Sequence, residues 1–85
     1  MVEFTDALAA RKIVDKLMRQ LRTSRYNPDL HLMHKNLEKM VNELSILEVS
    51  ARQNHHYGKV DEYKEKLAKS IDYLEKMILM LKLTE

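Results

Sequence analysis

The sequence contains no cysteine, and it has only one glycine and one proline among its 85 residues. Without cysteine the chain has no disulfide and no thiolate that could act as nucleophile or metal ligand, which favours a reducing, cytoplasmic setting. The first ten residues carry acidic side chains and no basic cluster, so they do not resemble a secretory signal. No apolar run reaches the roughly 18 residues of a transmembrane helix, so no contact with a membrane is predicted.

The remaining composition is dominated by helix-forming residues, and the lone proline and glycine divide the chain into three parts. Asn27 is predicted to cap a helix that starts at Pro28, and Gly58 to end it in a left-handed conformation. Thr5 is the expected cap of the first helix. The sequence therefore predicts a single all-α domain, residues 1–85. Its helices are expected at about residues 5–22, 28–56 and 60–83.

Apolar stripes at alternating spacings of three and four residues predict which side of each helix is buried. The stripe of helix one is Ala7, Ala10, Val14, Leu17 and Leu21. That of helix two is Leu30, Met33, Leu37, Met40, Leu44, Leu47 and Ala51, and that of helix three is Val60, Tyr63, Leu67, Ser70, Leu74, Met77 and Leu81. Because the connections are short, helices two and three should form a long antiparallel hairpin with the shorter helix one packed alongside.

The segment MILMLKL, residues 77–83, is apolar at six of its seven positions. One interpretation is ordinary core; another, a membrane-surface helix, is disfavoured because the polar face of helix three is balanced in charge. Each large apolar side chain left in water forgoes about 1.5–3 kcal/mol, so we favour a protein–protein interface, most simply in a homodimer forming a dimeric helical bundle. The predicted interface residues are Leu32, Val41, Ile46, Met77, Ile78, Leu79, Met80, Leu81 and Leu83.

Residues 11–25 carry six cationic side chains against one acid, Asp15, a local net charge of +5. One interpretation is a solvated face; the other is a surface that neutralises phosphates without reading bases. The candidate polyanion-binding residues are Arg11, Lys12, Lys16, Arg19, Arg22 and Arg25. The sequence shows no recognised DNA- or RNA-reading module.

The four histidines and the acidic residues form no recognised catalytic or metal-binding motif. His31 and His34 are spaced for one helical face, but neither a Glu-x-x-His nor a His-Glu-x-x-His motif occurs, so we expect structural or surface roles. No enzyme activity, cofactor or metal is predicted. The expected function is a non-enzymatic oligomerisation or protein–protein interaction protein; the alternative is a small dimeric nucleic-acid-associated regulator that uses segment 11–25.

Overall fold

The computed structural model describes residues 2–84, which form an elongated all-α domain of 48 × 19 × 17 Å. Helix α1 spans Ala7–Arg22, α2 spans Pro28–Asn54 and α3 spans Gly58–Leu83. The predicted all-α architecture of three helices, with helices two and three packed against each other, is confirmed.

The start of α1 differs from the prediction because Asp6, not Thr5, caps the helix. The Asp6 carboxylate accepts a hydrogen bond from the Ala9 N–H at 2.9 Å. The Glu48 carboxylate, reaching across from α2, accepts from the Ala7 N–H at 3.1 and 3.2 Å. Two carboxylates therefore meet the positive end of the α1 dipole, and one of them ties α1 to α2.

The turn between α2 and α3 also differs from the prediction. Asn27 caps α2 as expected, accepting from the N–H groups of Asp29 and Leu30. At the other end, however, α2 stops at Asn54, and His55 rather than Gly58 adopts the left-handed conformation, with φ 58° and ψ 31°. The His55 N–H closes the last turn by donating to the Ala51 carbonyl. Gly58 instead begins α3, so the turn has the predicted length of three residues but lies two residues earlier in the chain.

The core of α1 follows its predicted stripe, but those of α2 and α3 are rotated from theirs. All five residues of the α1 stripe are buried. In α2, His34 and Val41 are buried while Met33 and Met40 are only partly so. In α3, the buried row is likewise one residue further along than predicted, since Ile71 and Ile78 are buried where Ser70 and Met77 were expected.

The rotation arises because each long helix has neighbours on two sides. Three contacts show that α1 runs antiparallel to α2, because residues later in α1 contact residues earlier in α2. The pairs are Ala7 with Glu48, Arg11 with Asn42, and Val14 with His34. Helix α1 packs extensively on α2 and only sparsely on α3. Thus the α2 flank carrying His34 and Val41 packs against α1, and the flank carrying Met33 and Met40 packs against α3.

Residues 2–5 form an extended segment, not anticipated from the sequence, that lies along α3. The Val2 N–H donates to Asp72 Oδ1 at 3.0 Å, and Val2 and Phe4 pack against the core. Phe4 also lines a shallow depression with Lys64 and Ala68 of α3. This segment therefore links the N-terminus to α3, where α1 itself makes few contacts.

The rotated register of α3 predicts unequal costs for two neighbouring substitutions. Ile78 is 2% exposed, so Ile78→Ala should lower the free energy of unfolding by about 2–5 kcal/mol. Leu79 is 59% exposed, so Leu79→Ala should change it by less than about 0.5 kcal/mol. Urea unfolding of both variants checks this; equal losses would contradict the register described.

Candidate interaction surface

The structure separates the residues of the MILMLKL segment by their environment. Ile78 belongs to the core, and Met77 and Leu81 are partly buried against it. Leu79, Met80 and Leu83 remain 59%, 58% and 77% exposed. The segment thus completes the core on one side and leaves apolar surface on the other.

Two of the predicted interface residues are wrong. Val41 and Ile78 are 1% and 2% exposed within the single chain. Both lie in the rotated core rows, so neither side chain has surface to offer a partner. The predicted stripes had placed Met40 and Met77 in the core. Val41 and Ile78 therefore counted as apolar residues outside the core that were free to contact a partner.

The exposed members of the predicted interface do not share one surface. Leu79 borders a groove between α1 and α3, together with Ile13 of α1. Met80 lies one residue further, about 100° around the helix, in the row that includes Tyr73 seven residues earlier. Ile46 lies on the outer side of α2, half a helix circumference from buried Leu37. A single docking surface cannot use all of these residues.

One side of the α2–α3 hairpin is covered by α1, and within residues 2–84 no segment covers the opposite side, which we call the open face. Two rows of half-buried residues border it, each spaced by seven residues. They are Met33, Met40 and Leu47 on α2, and Tyr63, Ser70 and Met77 on α3. Leu32 on α2 belongs to the same row as Lys39 and Ile46, outside this face, and is 59% exposed.

A shallow apolar groove runs between the two rows. It is lined by Met33, Asn36, Leu37, Met40, Lys69, Ser70, Tyr73 and Leu74. Tyr73, which is 58% exposed, forms the outer wall on α3. The predicted stripe of helix two assigned Met33 and Met40 to the core. The signal that could have identified them as border residues is their spacing of seven, which forms a row on one side of the buried residues.

Charged side chains from both helices border the open face around Tyr63. The Lys66 ammonium lies 5.7 Å from the Tyr63 ring centroid, a cation–π distance. The pKa of the Tyr63 hydroxyl is raised by burial and, secondarily, by the negative charge of Glu43 on α2. Glu43 and Lys66 therefore lie at the same level of the hairpin, on opposite edges of the open face.

The histidines do not converge on a shared site. His34 is buried, and its Nε2 donates to the Val14 carbonyl at 2.8 Å, which leaves Nδ1 as an acceptor in the neutral ring. Glu38, four residues further along α2, places its Oε1 3.2 Å from the Nδ1 of the same ring. The His31 ring packs instead on Tyr26. Across residues 2–84, no three histidine or acidic side chains are grouped to hold a metal ion.

The six predicted polyanion-binding residues lie on α1 and its exit, away from the open face. Arg11 is half-exposed and donates to the Asn42 side-chain oxygen, while the other five are exposed. Four of those five have no carboxylate within ion-pair distance among the described residues. They are Lys12, Lys16, Arg19 and Arg22. Lys12 and Arg19 lie opposite the buried stripe of α1, and Lys16 also lines the groove between α1 and α3, so α1 presents a cationic outer surface.

Comparisons of the chain with protein-family models, with curated proteins and with solved structures find no match. Among residues 2–84, no helix combines the length and the apolar character needed to cross a membrane.

The raised pKa of Tyr63 predicts an alkaline loss of stability. The unfolded chain releases this proton near pH 10, whereas the folded protein holds it to higher pH. The contribution of Tyr63 is therefore complete below pH 10 and is lost as the pH rises through the folded pKa. Urea unfolding between about pH 9 and 11 should show a steeper fall for the wild type than for Tyr63→Phe.

Glu43→Gln provides the control for the cause of this shift. Removing the carboxylate charge lowers the pKa of Tyr63 toward its ordinary value, so the alkaline fall should become smaller than in the wild type. Ultraviolet titration of the phenol gives the same comparison directly. A Glu43→Gln profile identical to that of the wild type would show that burial alone sets the pKa.

Proposed function

We propose that this protein is a non-enzymatic interaction protein that associates with a second copy of itself through the open face of the α2–α3 hairpin. The observation that carries the proposal is the pair of half-buried rows, three residues on each helix and apolar at every position except Ser70, that no described segment covers. Rows of this kind flank the buried stripe of a helix that packs against further helices. Two such faces stacked together form a four-helix core with one α1 on each outside.

The energetics support a reversible dimer. Five half-buried side chains of the two rows, with Tyr73 and Met80 at the edge, each gain about 1 kcal/mol when their remaining surface is covered. Two copies contribute on the order of 10 kcal/mol in total, against an association cost of about 4–15 kcal/mol. The free energy gained by burial and the cost of association are of the same size, so the affinity depends on how well the two faces fit.

Paired substitutions on exposed residues test this surface. Tyr73 and Met80, both 58% exposed, border the open face; Leu79 and Ile46, at 59% and 63%, do not. The double variant Tyr73→Glu/Met80→Glu should weaken the dimer by at least about tenfold, because it places charges in an apolar contact. The matched variant Leu79→Glu/Ile46→Glu adds the same charge elsewhere and should dimerise like the wild type.

Sedimentation equilibrium over a range of concentrations gives the comparison, and circular dichroism confirms that both variants fold. Loss of the dimer only in the Leu79→Glu/Ile46→Glu variant would place the interface on another side of the molecule. A wild-type protein that stays monomeric at every concentration would overturn the proposal.

The cationic outer surface of α1 favours a second candidate function, the binding of a polyanion such as nucleic acid. The specific observation is that Lys12, Lys16, Arg19 and Arg22 have no acidic partner within ion-pair distance in the described chain. Contacts of this kind neutralise phosphates but carry little sequence information. In the proposed dimer the two α1 helices lie on the outside, so this surface occurs twice.

Substitution of these four residues by glutamine tests the second candidate. If the surface binds polyanions, wild-type affinity for a mixed-sequence duplex should fall steeply with salt, with a slope of about 0.9 per phosphate contacted. The variant should bind more weakly and with a shallower slope, measured by fluorescence anisotropy at several salt concentrations. Equal, negligible binding by both proteins would remove this candidate.

A further inference from the structure

The two edges of the open face carry different chemistry. Along α2, the edge positions every seven residues are Asp29, Asn36, Glu43 and Ser50, which include two acids and no base. Along α3, the corresponding positions are Lys59, Lys66, Tyr73 and Met80, which include two bases and no acid. On α3, Glu62 also lines the groove near the turn and Lys69 lines it further along, so the α3 side keeps a net positive charge; on α2, Lys39 lies one position further out. The open face is therefore polarised, with an acidic edge on α2 and a basic edge on α3.

Contacts within the chain establish which edge residues lie level with each other. Asn36 and Tyr73 line the same groove between the helices. Glu43 and Lys66 both lie near Tyr63: the charge of Glu43 raises the pKa of its hydroxyl, and the Lys66 ammonium lies over its ring. No ion pair joins Glu43 to Lys66 within the chain, since the described ion pairs involve other residues. Both side chains are exposed.

A two-fold dimer that stacks two open faces with their helices aligned can be built in two ways. With the axis across the helices, α2 faces the second α2 and α3 the second α3, so each acidic edge meets an acidic edge and each basic edge a basic one. With the axis along the helices, α2 faces the α3 of the other copy in antiparallel orientation, and every residue keeps its level. Opposite charges then meet on both sides of the interface.

We propose that the occupant of the open face is a second copy related by a two-fold axis parallel to the helices, so that Glu43 of each copy lies against the partner's Lys66. This inference rests on the proposed function, and it adds the arrangement and the source of specificity. The apolar rows supply the contact area, while the polarised edges favour one stacking and disfavour the other. The same edges disfavour partners whose charge pattern is not complementary.

Charge reversal tests the arrangement, and both positions are exposed enough to leave the fold intact. In Glu43→Lys, two lysines face each other at each of the two symmetry-related contacts; in Lys66→Glu, two glutamates do. Each single variant should dimerise about tenfold or more weakly than the wild type at low salt. The double variant Glu43→Lys/Lys66→Glu restores opposite charges at both contacts, so its dimer should return close to wild-type affinity.

Mixing the two single variants separates contacts between chains from contacts within a chain. A heterodimer of Glu43→Lys with Lys66→Glu has opposite charges at both contacts, so the mixture should associate more tightly than either variant alone. Repulsion within one chain would not be relieved by mixing. Sedimentation equilibrium measures all four samples, at low salt and again at high salt, where the differences should shrink.

The outcomes distinguish this inference from the proposed function. Single variants that dimerise as tightly as the wild type would overturn the arrangement, as would a mixture no tighter than its components. If Tyr73→Glu/Met80→Glu is nevertheless monomeric in that case, the open face remains the interface and only the arrangement is wrong. If that variant still dimerises, the proposed function itself fails, and this inference fails with it.

Discussion

The position of α1 on one side of the α2–α3 hairpin determines most of what the molecule presents to its surroundings. Polar contacts along the length of α1 hold it against α2. The Ala7 N–H bonds to Glu48 at one end, and the Val14 carbonyl accepts from buried His34 further along. A buried histidine without a partner would cost free energy, so His34 favours this one placement of α1. With α1 held there, the flank of α2 that carries Met33 and Met40 packs against α3 and forms one border of the open face.

The sequence predicted the elements of this fold better than their rotation. Asn27 and Pro28 marked the start of α2 because their capping chemistry is local. The buried stripe of α1 was also predictable, because α1 has one main neighbour and needs a single stripe. Each long helix buries its central row and one flanking row completely and leaves the other flanking row half-buried. In α2 the flanks begin with Met33 and His34, and in α3 they include Ser70 and Ile71, so apolar spacing alone allowed either rotation.

The chemistry of single residues explains why the wrong rotation was favoured. A histidine in the stripe counted against the correct row of α2, yet its Nε2 finds a backbone carbonyl in α1 that only the folded structure reveals. In α3 the signal was present but outweighed: a serine in one row and isoleucines in the next indicate that Ile71 and Ile78 lie deeper. The left-handed turn at His55 had no such signal, because glycine was available three residues later.

An apolar run in a sequence is a poor guide to one surface, and the last helix shows why. Leu79 and Met80 are neighbours in sequence and nearly equal in exposure, but Leu79 borders the groove to α1, whereas Met80 lies about 100° further around α3 in the row of Tyr73. A surface capable of docking a helix requires residues that recur every seven positions on two adjacent helices, which Met33, Met40 and Met77 satisfy. The cationic surface lies on the outer side of α1, away from these residues. Self-association through the open face therefore leaves that surface uncovered, and contact with a polyanion does not compete with dimer formation for the same side of the molecule.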